Sequence, residues 1–289
     1  MTAKECIARA EAESLTLGAL SLAIESENGG SMENSFNRLS AMLSVMEAEV
    51  ENALTAPVLS VSGLTGGDGY LYEQYRKNGS SLLGQIPALA AAYALSASET
   101  NAAMGRIVAC PTAGSCGIVP ACVLAVSRVR NIPQEKVLEA LACAGLVGML
   151  IDEHASLAGA QGGCQAECGS AAAMAAAAVV EMMGGSPKAA FDAAAIAIKN
   201  QLGLVCDPVA GLVEIPCIKR NVGGVSVALS AADLALAGIE SKIPFDDTVD
   251  AMNRVGRALP AALRETALGG LATTETGKKM REKVFGNDK

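Results

Sequence analysis

The residues of this chain whose types and spacing could do chemistry are three cysteines in its second half. They occur in the runs Gly163-Cys164-Gln165-Ala166-Glu167, Val205-Cys206-Asp207-Pro208 and Ile215-Pro216-Cys217-Ile218. Three thiolates can hold an iron-sulfur cluster while one iron keeps an open position, and a metal with an open position can act as a catalyst. The spacing alone leaves open a second interpretation, buried cysteines without a metal, because no compact C-x-x-C pattern is present.

The segment between Cys206 and Cys217 has to bring its two ends together if both thiols are to face one cluster. A continuous helix of this length would separate the two thiols by about 16 Å. Pro208, Gly211 and Pro216 interrupt such a helix, so the segment is predicted to fold back on itself.

Cys164 stands where a glycine-rich stretch runs into an alanine-rich one, and this pattern predicts a helix that begins near it. A thiol at the start of a helix lies at the positive end of the helix dipole, which stabilises the thiolate that iron requires. Cys168 follows one turn later. We expect it to face the core, because a fourth thiolate would close the cluster.

Two glycine-rich loops precede the cysteines. The first glycine loop spans residues 60–69 and contains four glycines and two serines, and the second spans residues 110–120. Such loops allow the backbone to approach a small ligand closely. In the second loop, the hydroxyls of Thr112 and Ser115 stand beside glycines, an arrangement able to bind a carboxylate. Each loop taken alone is equally well explained by turn chemistry.

The composition predicts an all-α, helical bundle-like fold, in which glycine-rich loops would surround the candidate iron-sulfur site of a catalytic domain. Of 289 residues 51% are hydrophobic, yet there is no Trp and only four Phe and four Tyr, which argues against a β-rich fold. Long Ala, Leu, Met and Gly stretches are typical of closely packed helices. We expect one domain over residues 1–289, with packing helices in residues 1–55 that break near residues 27–31.

Neither a membrane nor a nucleic acid is an expected partner. The apolar runs at residues 140–151 and 168–180 end at acidic residues, well short of the ~20 residues that a bilayer span requires. A net charge of −8 without a basic cluster argues against nucleic acid and anionic lipid. The N-terminus lacks a signal-peptide pattern, and nine irregularly spaced cysteines do not indicate a disulfide framework. We therefore expect a cytoplasmic protein with a small ligand.

Six motifs together resemble the α subunit of bacterial iron-sulfur-dependent L-serine dehydratase, in order and over nearly the whole chain. A further similarity to that family lies at residues 268–278. The six motifs are Ser62-Gly-Leu-Thr-Gly-Gly-Asp68, Asn101-Ala-Ala-Met-Gly105, Pro111-Thr-Ala-Gly-Ser-Cys-Gly117, Gly163-Cys-Gln-Ala-Glu167, Cys206-Asp-Pro-Val209 and Pro216-Cys-Ile-Lys-Arg-Asn221.

The resemblance implies a 4Fe-4S cluster on Cys164, Cys206 and Cys217 and the conversion of L-serine to pyruvate and ammonia. In this chemistry an open iron stabilises the departing hydroxyl, and a positioned base removes the α-proton. The resemblance also implies sensitivity to oxygen and a separate β subunit, since the sequence contains nothing similar to the β domain of that family.

The remaining site residues are assigned by their places in the motifs. Glu167, Asp207 and Lys219 are the catalytic candidates. Glu167 and Asp207 adjoin the cluster cysteines, and Lys219 and Arg220 either bind the substrate carboxylate or balance thiolate charge. His154, the only histidine, is expected at the surface or a helix end rather than as the base. The expected substrate contacts are Thr65, Asp68, Asn101, Thr112, Ser115 and Arg220.

Three other functions fit parts of the sequence. A related iron-sulfur lyase would act on another β-substituted amino acid, as a cysteine desulfidase or a threonine dehydratase does. A pyridoxal-phosphate dehydratase would need Lys199 or Lys219 for its Schiff base and would leave the cysteines unexplained. A zinc-bearing or cluster-bearing scaffold without activity would fill every metal position with thiolates.

Overall fold

Thirteen α-helices make up most of the computed structural model, which describes residues 1–286. No β-strand occurs within those residues, and the all-α prediction is confirmed. Residues 287–289, part of the predicted single domain, lie outside the described range. The helices are α1 (Ala3–Glu13), α2 (Leu17–Glu27), α3 (Met32–Asn52), α4 (Asp68–Lys77), α5 (Gln85–Ala102), α6 (Ile118–Arg130), α7 (Gln134–His154), α8 (Gly159–Gly162), α9 (Ser170–Met182), α10 (Pro187–Lys199), α11 (Cys217–Leu236), α12 (Phe245–Ala258) and α13 (Glu275–Phe285).

Helix α9 lies at the centre of the bundle because its side chains are small. Seven of its thirteen residues are alanine, and every residue except Glu181 is buried. Alanine combines the highest helix propensity with a small volume, so α6, α7, α10 and α11 can all pack against α9. The alanine-rich stretch thus determines which helix the others surround.

The N-terminal residues form three helices, and the break expected near residues 27–31 separates α2 from α3. A second break follows α1 at Ser14, whose backbone is left-handed with φ 55°. Helix α2 is joined to the core because both carboxylate oxygens of Glu181 accept the Gly18 N–H, at 2.8 and 3.0 Å. Gly18 has no room for a side chain, since a Cβ there would lie 2.1 Å from the carbonyl oxygen of Glu139.

One stretch of the described chain, Ala113–Arg130, is long and apolar enough to pass as a membrane span by composition. However, 72% of it is buried inside the protein, where α6 packs against α5 and α9. Core helices share this length and composition. The two apolar runs of the sequence lie within α7 and at the start of α9, and both helices are largely buried.

Glu49 is a fully buried carboxyl group on α3. One of its oxygens accepts the N–H of Val108 at 2.7 Å, and the other has no hydrogen-bond partner among the described residues. Burial raises the pKa of Glu49 from 4.5 to about 8. The titratable groups that face it are the buried thiols of Cys110 and Cys116. Folding therefore favours the protonated form of this acid.

We expect Glu49→Gln to remove a pH dependence of stability. Because the folded-state pKa lies above the unfolded one, the contribution is fully present below the unfolded pKa and is lost as the pH rises through the folded pKa, by about 1.4 kcal/mol per pH unit. Urea unfolding between about pH 5 and pH 8 should show the wild type losing stability relative to Glu49→Gln. The exposed Glu47→Gln on the same helix is the control. A wild-type curve parallel to that of Glu49→Gln would contradict this prediction.

Candidate active site

The motif residues, distant in sequence, meet near the N-terminal ends of α4, α6, α9 and α11. Side-chain hydrogen bonds join the segments in pairs. Thr65 Oγ1 donates to Glu214 Oε2 at 2.6 Å, which ties the first glycine loop to the segment between Cys206 and Cys217. Thr112 Oγ1 donates to Glu167 Oε1 at 2.9 Å, which ties the second glycine loop to the start of α9.

The thiols of Cys164, Cys206 and Cys217 lie close enough to influence one another's ionisation. Burial raises the pKa of Cys206, and it raises the pKa of Cys217 to about 12. The neighbouring groups Glu167 and Cys164 raise both of these pKa values further. At Cys164 the hydrogen bond with Cys168, aided by the guanidinium of Arg220, lowers the pKa despite burial. The segment after Cys206 folds back as predicted, through a 3-10 turn at Val209–Gly211.

Three thiolates are the number of protein ligands that a 4Fe-4S cluster with one open iron requires. Within residues 1–286, no three His, Cys, Asp or Glu side chains converge as the ligands of a single metal ion. A 4Fe-4S cluster requires a different arrangement of ligands, because each thiolate binds a different iron and the three cysteine sulfurs remain apart. The donor chemistry therefore fits a cluster held by three cysteines better than a one-ion zinc site.

Cys164 directly precedes a single π-helical turn, Gln165–Gly169, which continues into α9. The helix predicted near Cys164 is thus present, whereas its unusual first turn has no signal in the sequence pattern. Turns of this kind are rare and frequently mark functional sites. Cys168 lies on the turn, is only 1% exposed as expected for a core residue, and its sulfur is 3.3 Å from that of Cys164.

Glu167 lies on the same turn, beside the thiols. Its Oε2 is 4.0 Å from the sulfur of Cys206. Burial raises the pKa of Glu167, and the hydrogen bond from Thr112 opposes this only in part. Two glycines leave room for the carboxyl group. A Cβ at Gly159 would lie 2.6 Å from Oε2 of Glu167, and a Cβ at Gly114 would lie 3.3 Å from Oε1. Glu167 is therefore a confined carboxyl group able to hold and release a proton.

Asp207 and Arg220 form an ion pair that holds segments together. Arg220 Nη2 donates to Asp207 Oδ1 at 2.9 Å, and Nη1 donates to the carbonyl of Val205 at 2.7 Å. The other oxygen of Asp207 accepts the N–H of Leu271 at 2.8 Å. A Cβ at Gly270 would lie 2.3 Å from that oxygen. Because both of its carboxylate oxygens already accept hydrogen bonds, Asp207 is better suited to holding these segments together than to transferring a proton.

A cavity of about 430 Å³ opens beside the residues that precede Cys217. Asp68 and Lys219 form a partly exposed ion pair in its wall. The carboxylate of Glu99 accepts the N–H groups of Asp68 and Gly69, at 2.6 and 3.1 Å, and so holds the end of the first glycine loop. The cavity is lined by Leu59, Gly63, Leu64, Thr65, Gly66, Asp68, Ile215, Pro216 and Lys219.

Two expected substrate contacts stabilise the second glycine loop. Asn101 Nδ2 donates to the carbonyl of Ala113 at 3.1 Å. Ser115 is fully buried, and its hydroxyl lies 3.1 Å from that of Thr112. Asn101 and Ser115, predicted to contact substrate, therefore form hydrogen bonds within the protein. Of Asn101, Thr112 and Ser115, Thr112 is the one that donates a hydrogen bond to Glu167.

Three buried side chains without a role predicted from the sequence join the motifs, namely Glu99, Glu214 and Asn221. Asn221 is 1% exposed, its Oδ1 accepts the N–H of Gly117 at 3.0 Å, and its Nδ2 donates to the carbonyl of Gly114 at 2.8 Å. The available signal was their presence in or beside the recognised motifs. Local sequence does not indicate which distant loop a polar side chain will reach.

The other candidates for catalysis have partners of their own. His154 is the last residue of α7 and is exposed, as expected for a helix-end histidine, with Nε2 3.0 Å from the carbonyl oxygen of Met1. Lys199 donates to the hydroxyl of Ser241 at 2.8 Å. Lys219 is paired with Asp68. None of these contacts favours a Schiff-base lysine or a histidine base.

Comparison with known proteins places these features in a family. The serine dehydratase alpha chain family matches residues 4–272. The chain is 52% identical over 254 residues to the probable L-serine dehydratase, alpha chain, of Bacillus subtilis, covering 88% of this chain and 84% of that protein. It is 46% identical over 281 residues to the alpha chain of Peptoniphilus asaccharolyticus L-serine dehydratase, covering 97% and 96%. It matches the L-serine dehydratase of Streptomyces coelicolor at 44% over 182 residues, which is 62% of this chain but 40% of that protein.

Proposed function

Because the chain belongs to the serine dehydratase alpha chain family, we propose that it is the catalytic chain of an L-serine dehydratase, with a 4Fe-4S cluster on Cys164, Cys206 and Cys217. The observation that carries the proposal is that the sulfur of Cys206 lies 4.0 Å from the buried carboxyl group of Glu167, while Cys164 and Glu167 both raise the pKa of Cys206 and of Cys217. When bound, the cluster supplies a Lewis-acid iron that stabilises the departing hydroxyl of serine.

Asp68 and Lys219 are suited to bind the amino acid itself. L-Serine is a zwitterion, and the cavity wall offers it one charge of each sign. In our proposal Lys219 binds the carboxylate and Asp68 the ammonium group, so the substrate replaces the ion pair by two charge-assisted contacts. Glu99 fixes the backbone of Asp68, which keeps this half of the site in place before substrate arrives.

Glu167 is the group that we assign to proton transfer. A general base works best when its pKa lies near the working pH, and burial moves the pKa of Glu167 upward. Thr112 orients the carboxyl group through its hydrogen bond. Removal of the α-proton and loss of hydroxide from L-serine give aminoacrylate, which tautomerises and hydrolyses to pyruvate and ammonia. In our proposal Asp207 and Arg220 take no part in the reaction and hold the segments around the site in place.

We also infer a separate β subunit and a cytoplasmic enzyme. Two similar proteins are named as alpha chains, and the Streptomyces coelicolor enzyme, which carries no chain designation, is far longer than its matched region. In our proposal, a second chain supplies the additional sequence that the longer Streptomyces coelicolor enzyme contains.

The decisive experiment is to reconstitute the protein anaerobically and to measure keto-acid formation from L-serine, L-threonine and L-cysteine, with and without the candidate partner chain. Iron, sulfide and zinc are analysed on the same sample. Faster turnover of L-serine than of the other two supports the proposal. Preference for threonine or cysteine would indicate a related lyase, and zinc without sulfide or turnover would indicate a scaffold.

Removing either charge from the cavity wall is expected to weaken substrate binding. Lys219→Ala and Asp68→Ala should each raise KM about 10- to 100-fold, because each loses one charge-assisted hydrogen bond to the zwitterion. Steady-state kinetics with L-serine measure the change. Lys242→Ala, which removes a highly exposed lysine paired with Glu240, is the control. An unchanged KM in both cavity variants would place the substrate elsewhere.

A further inference from the structure

Cys168 is a buried thiol to which the proposed reaction gives no role. It lies on the π-helical turn, one turn after Cys164, with its sulfur 3.3 Å from the Cys164 sulfur. A cysteine thiolate bound to iron has no proton left to donate. In a hydrogen bond between these two sulfurs, Cys168 must then be the donor.

The guanidinium of Arg220, which Asp207 and the carbonyl of Val205 hold in place, is a further neighbour of Cys164. The neighbours of Cys164 are therefore a thiol in direct contact and a nearby positive charge. The sulfur of Cys206 has a different neighbour, the carboxyl group of Glu167 at 4.0 Å. The surroundings of Cys164 and Cys206 therefore differ, because a thiol contacts the first sulfur and a carboxyl group lies beside the second.

We propose that Cys168 is a positioning residue, which donates an S–H hydrogen bond to the Cys164 sulfur and so stabilises the binding of the cluster through that ligand. The proposal rests on the cluster of the proposed function. Donors that contact a metal ligand orient it and strengthen its bond, and their loss typically costs about 10- to 100-fold in metal affinity or activity. Cys168 itself stays off the iron.

The competing explanation is that Cys168 merely fills the core. Cys122 offers the comparison, since it is a fully buried cysteine on α6. At a pure packing position, alanine is tolerated better than serine, because serine buries a hydroxyl group without a partner. At Cys168 the order reverses under our proposal. Serine keeps a donor facing the Cys164 sulfur, whereas alanine removes it.

The experiment compares Cys168→Ala, Cys168→Ser, Cys122→Ala and Cys122→Ser after anaerobic reconstitution. Iron release to a chelator is followed by absorbance, and circular dichroism reports the fold. We expect release about 10- to 100-fold faster from Cys168→Ala than from wild type, and near-wild-type release from Cys168→Ser. At position 122 alanine should behave as wild type, and serine should lower the melting temperature.

The possible failures can be told apart. If wild type binds no cluster, both this inference and the cluster of the proposed function fall. If wild type binds the cluster and turns over L-serine, but both Cys168 variants release iron as wild type does, only this inference falls. Release from Cys168→Ser as fast as from Cys168→Ala would also overturn it. Failure of both Cys168 variants to take up iron would make Cys168 a ligand, contrary to the proposal.

Discussion

Replacing Cys164, Cys206 or Cys217 by alanine is expected to abolish cluster binding and to lower L-serine turnover by more than about 10³-fold, roughly 4 kcal/mol of activation free energy. Each thiol is one of three protein ligands in our proposal, so a single loss leaves a second iron, besides the open one, without a protein ligand. The hydroxyl of serine then has no Lewis acid to stabilise its departure. Iron and sulfide analysis with pyruvate formation measures both effects in one sample.

The controls for these variants are Cys122→Ala and Cys143→Ala, which remove fully buried thiols in α6 and α7. Both should keep iron, sulfide and activity, because neither position belongs to the group of thiols around Glu167. Turnover that survives the loss of Cys164, Cys206 or Cys217 would return these cysteines to the core and remove the basis of the proposed mechanism.

Glu167→Gln is expected to lower kcat by about 10²- to 10⁴-fold while the cluster is retained, because the amide keeps the shape of the side chain but cannot accept the α-proton. The hydrogen bond from Thr112 survives the change, since the side-chain carbonyl of glutamine still accepts it. Anaerobic steady-state kinetics and iron analysis of the purified variant test the two parts of the expectation separately.

Asp207→Asn provides the contrast, because Asp207 also adjoins a proposed cluster cysteine but is held by Arg220 and Leu271. Its loss leaves the charge of Arg220 without its partner, so we expect lower stability, by about 3–5 kcal/mol if the pair behaves as fully buried. If Asp207→Asn folds normally and loses kcat, while Glu167→Gln remains active, Asp207 is the base and our assignment is wrong.

Several features of the fold were predictable from local pattern. Runs of alanine and leucine with few aromatic residues predict helices, and prolines and glycines after Cys206 predict a segment that folds back. Both predictions depend only on helix propensity and on backbone restrictions at proline and glycine. The cysteine runs and glycine loops likewise pointed to the family, because their order along the chain is itself the signal.

The sequence by itself determined the helical fold class and the family, since these depend on residue type and on order along the chain. The three proposed cluster thiols also come from the sequence and stay a prediction. Only the tertiary structure distinguishes the surroundings of Glu167 and Asp207, which both lie close in sequence to proposed cluster cysteines. Thr112 and a glycine-lined space meet Glu167, whereas Arg220 and Leu271 engage both oxygens of Asp207. The same holds for Cys168, whose contact with Cys164 depends on an unpredicted π-helical turn. Proton affinity and hydrogen bonding depend on burial and on partners far away in the sequence, and those exist only once the chain has folded.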